Sequence, residues 1–114
     1  GFIFGTAVAQ ALSAGFVPIR KPNKLPWRTH AISYELEYGT DTLEVHQDAV
    51  GVGQRVLIVD DLLATGGTMK ACCDLIDRLG ADLVGLTVLI ESSTLGGREK
   101  IKPHDQNIHA VIRL

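Results

Sequence analysis

Long apolar runs are missing from this 114-residue chain: no stretch approaches the ~20 residues that a membrane-spanning helix needs. No stretch has the features of a signal peptide either. Cysteine is scarce, and its two copies, Cys72 and Cys73, are adjacent. Neighbours on a helix point about 100° apart, and a vicinal disulfide is strained, so two reduced, partly packed thiols in a cytoplasmic protein are expected. Neither thiol has metal-ligand spacing, and the four histidines, His30, His46, His104 and His109, are scattered as surface or loop residues. An excess of one charge is also lacking. The net charge of −2 points away from nucleic acid or another polyanion. No internal repeat or low-complexity segment occurs.

What is present is ordinary for one soluble globular domain, with 46% apolar and 21% charged residues arguing against disorder. Charge is unevenly placed, however. Arg20, Lys21, Lys24 and Arg28 all precede the first acid, Glu35. This local basic patch reads either as a site for a small anionic ligand or as a solvated loop or subunit interface.

Residues 2–14 are rich in Ala and Leu and read as a helix stopped by Gly15. Phe16 to Ile19 reads as a short buried strand, and residues 21–30, with two prolines, as a loop. Residues 34–46 alternate: Tyr34, Leu36 and Tyr38 share one face, Glu35 and Glu37 the other, and after Gly39-Thr40-Asp41 the pattern resumes with Leu43 and Val45 against Glu44 and His46. A β-hairpin is expected there. Residues 55–59 form a continuous apolar run, as in a central parallel strand covered on both faces. A helix follows over 66–79, with Met69, Cys72, Cys73, Ile76 and Leu79 at helical spacing and Gly80 at its end. Residues 82–90 read as another buried strand, 97–102 as a short helix or a loop, and 108–113 as a last strand. Such alternation gives an α/β fold with a mainly parallel sheet flanked by helices, which binds ligands beyond the carboxyl ends of its strands.

The chemistry concentrates in residues 56–68, VLIVDDLLATGGT. A buried strand ends in Asp60 and Asp61, and a short turn leads to a glycine-containing helix start. Unpaired N–H groups and the partial positive charge of a helix N-terminus suit a phosphate. Gly66 and Gly67 allow close backbone approach, and the Thr65 and Thr68 hydroxyls add donors. The two carboxylates are placed to accept from sugar hydroxyls. A phosphorylated ribose fits this combination. The segment has no lysine after its glycines, as the P-loop has, and no G-x-G-x-x-G. The bland alternative for Asp60-Asp61 is a strand-end turn with a helix cap. Pattern alone does not separate Glu37 from Glu35 or Glu44 as a catalytic acid.

These residues resemble the signature that type I phosphoribosyltransferases use to bind phosphoribosyl pyrophosphate (PRPP), in the form usual for the adenine-specific phosphoribosyltransferases. Residues 1–5 (GFIFG), 16–26 (FVPIRKPNKLP), 34–49 (YELEYGTDTLEVHQDA), 53–68 and 97–100 (GREK) resemble segments of that family in the same order. The resemblance implies the family's core fold with a flexible β-hairpin lid. It implies transfer of a phosphoribosyl group from PRPP to adenine, giving AMP and pyrophosphate, with Mg²⁺ carried by PRPP and water rather than by direct protein ligands. A homodimer is implied as well. By position, Ala64, Thr65, Gly66, Gly67 and Thr68 match the loop holding the 5′-phosphate. Asp60 and Asp61 match the acids facing the ribose hydroxyls. Lys21 and Lys24 match residues contacting pyrophosphate. Glu37 matches the proposed catalytic acid of the lid, with Tyr38 beside it. Other implied readings are a module that senses PRPP or nucleotides, and an inactive fragment.

The resemblance also sets expectations where the chain departs from it. Opening at Gly1, residues 1–114 are expected to form the core domain without three family features. These are an arginine directly before that glycine, a strand before that turn in mid-sheet, and an N-terminal hood over the base. Loss of the strand should expose sheet edges and apolar surface. Ser92 stands where the adenine-specific enzymes carry a leucine against the purine, removing roughly 1–3 kcal/mol of apolar contact. Thr6 and Ala7 replace two prolines, a milder change.

Overall fold

The computed structural model describes residues 1–36 and 38–114. In chain order the elements are α1 (Phe2–Ala11), β1 (Thr29–Leu36), β2 (Gly39–His46), β3 (Arg55–Leu63), α2 (Gly67–Arg78), β4 (Asp82–Glu91), α3 (Gly97–Lys100), a 3₁₀ turn (His104–Asn107) and β5 (Ile108–Arg113). β3, β4 and β5 form a parallel sheet in that order, and β1 pairs antiparallel with β2 as a separate hairpin. No helix among the described residues is long and apolar enough to cross a membrane.

α2 organises the core. Its Met69, Cys72, Cys73 and Ile76 are buried together with Ile58 of β3, Leu86 and Val88 of β4, and Leu43 of the hairpin. The helix therefore contacts both the sheet and the hairpin, as the 3.6-residue spacing of its apolar positions requires. It ends as the sequence indicates. Gly80, at φ 74°, takes the left-handed position, and the Gly80 and Ala81 amides return to the carbonyls of Asp77 and Ile76 at 3.0 and 3.4 Å.

Both thiols sit in this core, and burial pushes each of them up to about 12. The thiolate is the reactive form, so folded protein at pH 8 is expected to react with an aromatic disulfide reagent far more slowly than the urea-unfolded chain. Equal rates in the two states would contradict the packing.

Several expectations are corrected. α1 stops earlier than Gly15. Ser13, at φ 53°, takes the left-handed position, with the Ser13 and Ala14 amides returning to Gln10 and Ala9 at 3.2 and 2.9 Å. Phe16 to Ile19 form no strand; only a single bridge joins Arg20 to Glu44. A strand exists by pairing, and no neighbour among the described residues pairs with this segment. The hairpin begins at Thr29, within the expected loop, and its last pair is Leu36 with Gly39, so Gly39, Thr40 and Asp41 lie within β2. β3 runs past its apolar stretch to Leu63. It lies at the sheet edge, not in its middle, and Leu57 and neighbouring Val84 stay exposed. Residues 97–100 are helical, the first of the two readings left open for that segment.

Candidate functional site

The parallel strands β3, β4 and β5 end side by side at Leu63, Glu91 and Arg113, and the candidate site grows from these carboxyl ends. Asp60 and Asp61 do not end β3 as the sequence suggests. The ladder to β4 continues through the pairs Leu62–Ile90 and Leu63–Glu91. Alternation along the strand then sends the two carboxylates to different environments: the Asp60 side chain is 29% exposed and that of Asp61 62%. The Asp61 amide donates to Asp60 Oδ1 at 2.9 Å. Burial raises the Asp60 carboxyl above the usual carboxylate range, and the hydrogen bond with Asp60 lowers that of Asp61.

After Leu63 the loop Ala64–Gly66 turns into α2. Gly66, at φ 88°, caps the helix without a side-chain hydrogen bond, so the amides of the first turn stay open to an anion. The Thr65 and Thr68 side chains face outward. Residues 60–69 line a hollow of about 340 Å³, which places every expected phosphate-loop residue beside both acids. No group of three or more His, Cys, Asp or Glu among the described residues could hold a metal ion.

A wider cleft of about 930 Å³ adjoins the hollow and shares Asp60 and Thr68 with it. Its walls include α1, Arg20 and Lys21. The N-terminal end of α1 abuts Asp60 so closely that a Cβ on Gly1 would meet Asp60 Oδ1 at 2.6 Å. Lys21 thus shares one cleft with Asp60, with its ammonium paired to Asp41 of the hairpin. Lys24 lines neither space. Tyr38, at the hairpin tip, is 96% exposed and also lines neither. Glu37 lies outside the described residues.

Some participants were not singled out from sequence. The Tyr34 hydroxyl lies 3.3 Å from Thr68 Oγ1, tying the hairpin to the start of α2. Its place in the alternating face was the available signal. Glu44, one of the three acids that pattern leaves equivalent, accepts the Asn23 amide at 2.9 Å and fixes the basic loop. Glu91 is buried at 2% exposure, and Arg98 Nε donates to both its oxygens at 2.7 and 2.6 Å. Arg113 Nε lies 3.2 Å from Glu91 Oε1. Nothing in the local pattern marks this cluster.

Comparison with known proteins places this geometry. The chain is 64% identical over 105 residues to the adenine phosphoribosyltransferase of Symbiobacterium thermophilum, covering 92% of this chain and 62% of that protein. The chain therefore spans about three-fifths of that relative's length. The crystal structure of adenine phosphoribosyltransferase from Thermoanaerobacter pseudethanolicus matches with a TM-score of 0.95 and 51% identity, over 100% of this chain and 65% of that one. The Saccharomyces cerevisiae enzyme, complexed with an imino-altritol bisphosphate and adenine, matches with a TM-score of 0.89 and 39% identity, over 96% and 61% respectively. The model of the phosphoribosyl transferase domain matches residues 1–112. With the acids, the glycine turn and the helix N-terminus in one hollow, and that match over nearly its whole length, the chain belongs to the phosphoribosyl transferase domain family.

Proposed function

We propose that this chain forms the PRPP-binding core of an enzyme that transfers the phosphoribosyl group of PRPP to adenine, releasing AMP and pyrophosphate. The observation that carries the reading is the hollow formed by residues 60–69. It sets two carboxylates against an open helix N-terminus, in a chain closely similar to adenine phosphoribosyltransferases.

The roles follow from the resemblance to the family, position by position, and charge supports several of them. The open amides of Gly66, Gly67 and Thr68, with the Thr65 and Thr68 hydroxyls, hold the 5′-phosphate. Asp60 and Asp61 accept from the ribose hydroxyls. Breaking the bond from C1 to pyrophosphate builds positive charge on the ribose, which two nearby carboxylates would favour. Lys21 and Lys24 take the leaving pyrophosphate. Mg²⁺, carried by PRPP, would neutralise pyrophosphate charge as the bond breaks. Asp60 and Asp61 suit it as partners reached through water. Glu37 acts as the catalytic acid of the hairpin, and Tyr38 closes with it as part of a lid that keeps water from PRPP. We place the enzyme in the cytoplasm as a homodimer, with no role for nucleic acid or membrane.

The test is to mix the chain with PRPP, Mg²⁺ and radiolabelled adenine, hypoxanthine or guanine in turn. AMP from adenine alone is expected. Product from another base would overturn the adenine assignment, for which Ser92 is the residue to examine. PRPP binding with no product from any base would mean that this chain is the PRPP-binding part alone, and no PRPP binding would overturn the reading entirely. Glu37→Ala should lower turnover by about tenfold or more while changing the PRPP dissociation constant less than about twofold. Unchanged turnover would remove Glu37 from the mechanism.

A further inference from the structure

The loop that offers its amides to a phosphate needs something else to hold it. Among the described residues, no main-chain hydrogen bond reaches Ala64 or Thr65. The loop instead rests on α3. A Cβ on Gly66 would meet the Gly97 carbonyl oxygen at 2.8 Å and its Cα at 3.0 Å. In return, a Cβ on Gly97 would meet the Ala64 carbonyl oxygen at 2.5 Å and Leu63 Cγ at 2.9 Å. The two backbones touch with no room for a side chain between them, so a shift of α3 shifts the loop.

α3 has only four residues and cannot hold its own position. Its second residue, Arg98, anchors it to the buried Glu91 carboxylate through both oxygens, and Arg113 of β5 meets the same carboxylate. Glu91 is the register partner of Leu63, the last residue before the loop. The Ser92 amide donates to the Leu63 carbonyl at 2.9 Å, locking that junction. A buried, charge-assisted pair has a narrow range of geometries, which suits it to fixing a position.

We propose that Glu91, Arg98 and Gly97 form a brace that sets the position of the Ala64–Gly66 loop, acting as positioning residues for the 5′-phosphate end of PRPP without touching it. The proposal rests on the PRPP reading above. It gives the brace a signature that general stability lacks: the brace governs the phosphate end of the ligand and leaves the pyrophosphate end, near Lys21, alone.

Dissociation constants for PRPP and for pyrophosphate, both with Mg²⁺, are to be measured for the unsubstituted chain, Arg98→Met, Arg98→Lys and Gly97→Ala, each with a thermal unfolding scan. Arg98→Met and Gly97→Ala should each weaken PRPP by about tenfold or more and pyrophosphate by less than about twofold, because a small misplacement of a binding group is enough. Arg98→Lys, which keeps the charge but loses the planar guanidinium, should recover PRPP binding only in part, to a value between Arg98→Met and the unsubstituted chain. If Arg98→Met gives no cooperative unfolding transition, Gly97→Ala carries the comparison, because it removes neither Glu91 nor Arg98. Equal weakening of both ligands, unchanged PRPP binding, or loss of folding in both variants would each overturn the brace. Absence of PRPP binding by the unsubstituted chain would instead overturn the reading on which it rests.

Discussion

Gly66→Ala should weaken PRPP binding about a hundredfold and lower stability by about 2–4 kcal/mol, whereas Gly67→Ala next to it should leave the fold intact. The two glycines look alike in sequence, and the structure separates them. Gly66 sits at φ 88°, where an L-residue costs about 1–2 kcal/mol. Its absent Cβ would also meet the Gly97 carbonyl at 2.8 Å and Lys100 Cβ at 3.2 Å, so alanine is refused by conformation and by space together. The loop must move to admit it, and the loop carries the amides and hydroxyls proposed to hold the 5′-phosphate. Gly67 opens the helix with no positive φ, and its Cβ would meet only Tyr34 Cδ2, at 4.0 Å. Alanine there favours the helix by up to about 1 kcal/mol. Urea unfolding and PRPP titration of both variants check the contrast. Gly66→Ala protein with the stability and PRPP affinity of the unsubstituted chain would show that the turn is not under this constraint.

The contrast illustrates what the sequence made legible. The hollow was readable because it is contiguous: ten consecutive residues, 60–69, line it, and a strand–turn–helix signal is local. α2 was readable because five apolar positions and Gly80 fix its face and its end. The extent of β3 was not, because aspartate reads as a strand terminator, while the ladder to β4 carries Asp60 and Asp61 inside the strand. The stop of α1 was misplaced because Gly15 is the ordinary choice, and Ser13 adopts the left-handed conformation two residues earlier. Phe16 to Ile19 has the composition of a strand, but pairing is a property of neighbours, and composition does not report them. The Glu91–Arg98 pair was hidden for the same reason. Its members are seven residues apart, across a turn, and their meeting depends on how α3 folds back on the end of β4.

Asp60→Asn should weaken PRPP binding by about ten- to a hundredfold and yet stabilise the protein at pH 7. The loss follows from the proposed contact, since a hydrogen bond from a ribose hydroxyl to a charged acceptor is worth about 1.5–3 kcal/mol. The gain follows from burial. Desolvation raises the Asp60 carboxyl above its ordinary range, so the folded protein holds that proton more tightly than the unfolded chain does. A group of this kind supports folding fully at pH below its unfolded value, and that support is lost as pH rises through the folded value. At pH 7 the ionised side chain is therefore a cost, and the neutral amide removes it. The side-chain carbonyl of the substituted amide can still accept the Asp61 amide that now bonds Asp60 Oδ1 at 2.9 Å, so the local geometry has no need to change. The stability advantage of the variant should be largest at neutral pH, shrink as pH falls through the raised value, and vanish below the ordinary aspartate range. Asp61→Asn, at a side chain 62% exposed and lowered rather than raised, should show no such advantage. Thermal midpoints of both variants between about pH 3 and 8, with PRPP affinity at pH 7, decide the matter. A destabilised Asp60→Asn protein at pH 7 would mean that the acid is held for its charge in the fold itself. A stabilised one with weakened binding would mean that the site keeps a carboxylate in an unfavourable place because the ligand requires it there.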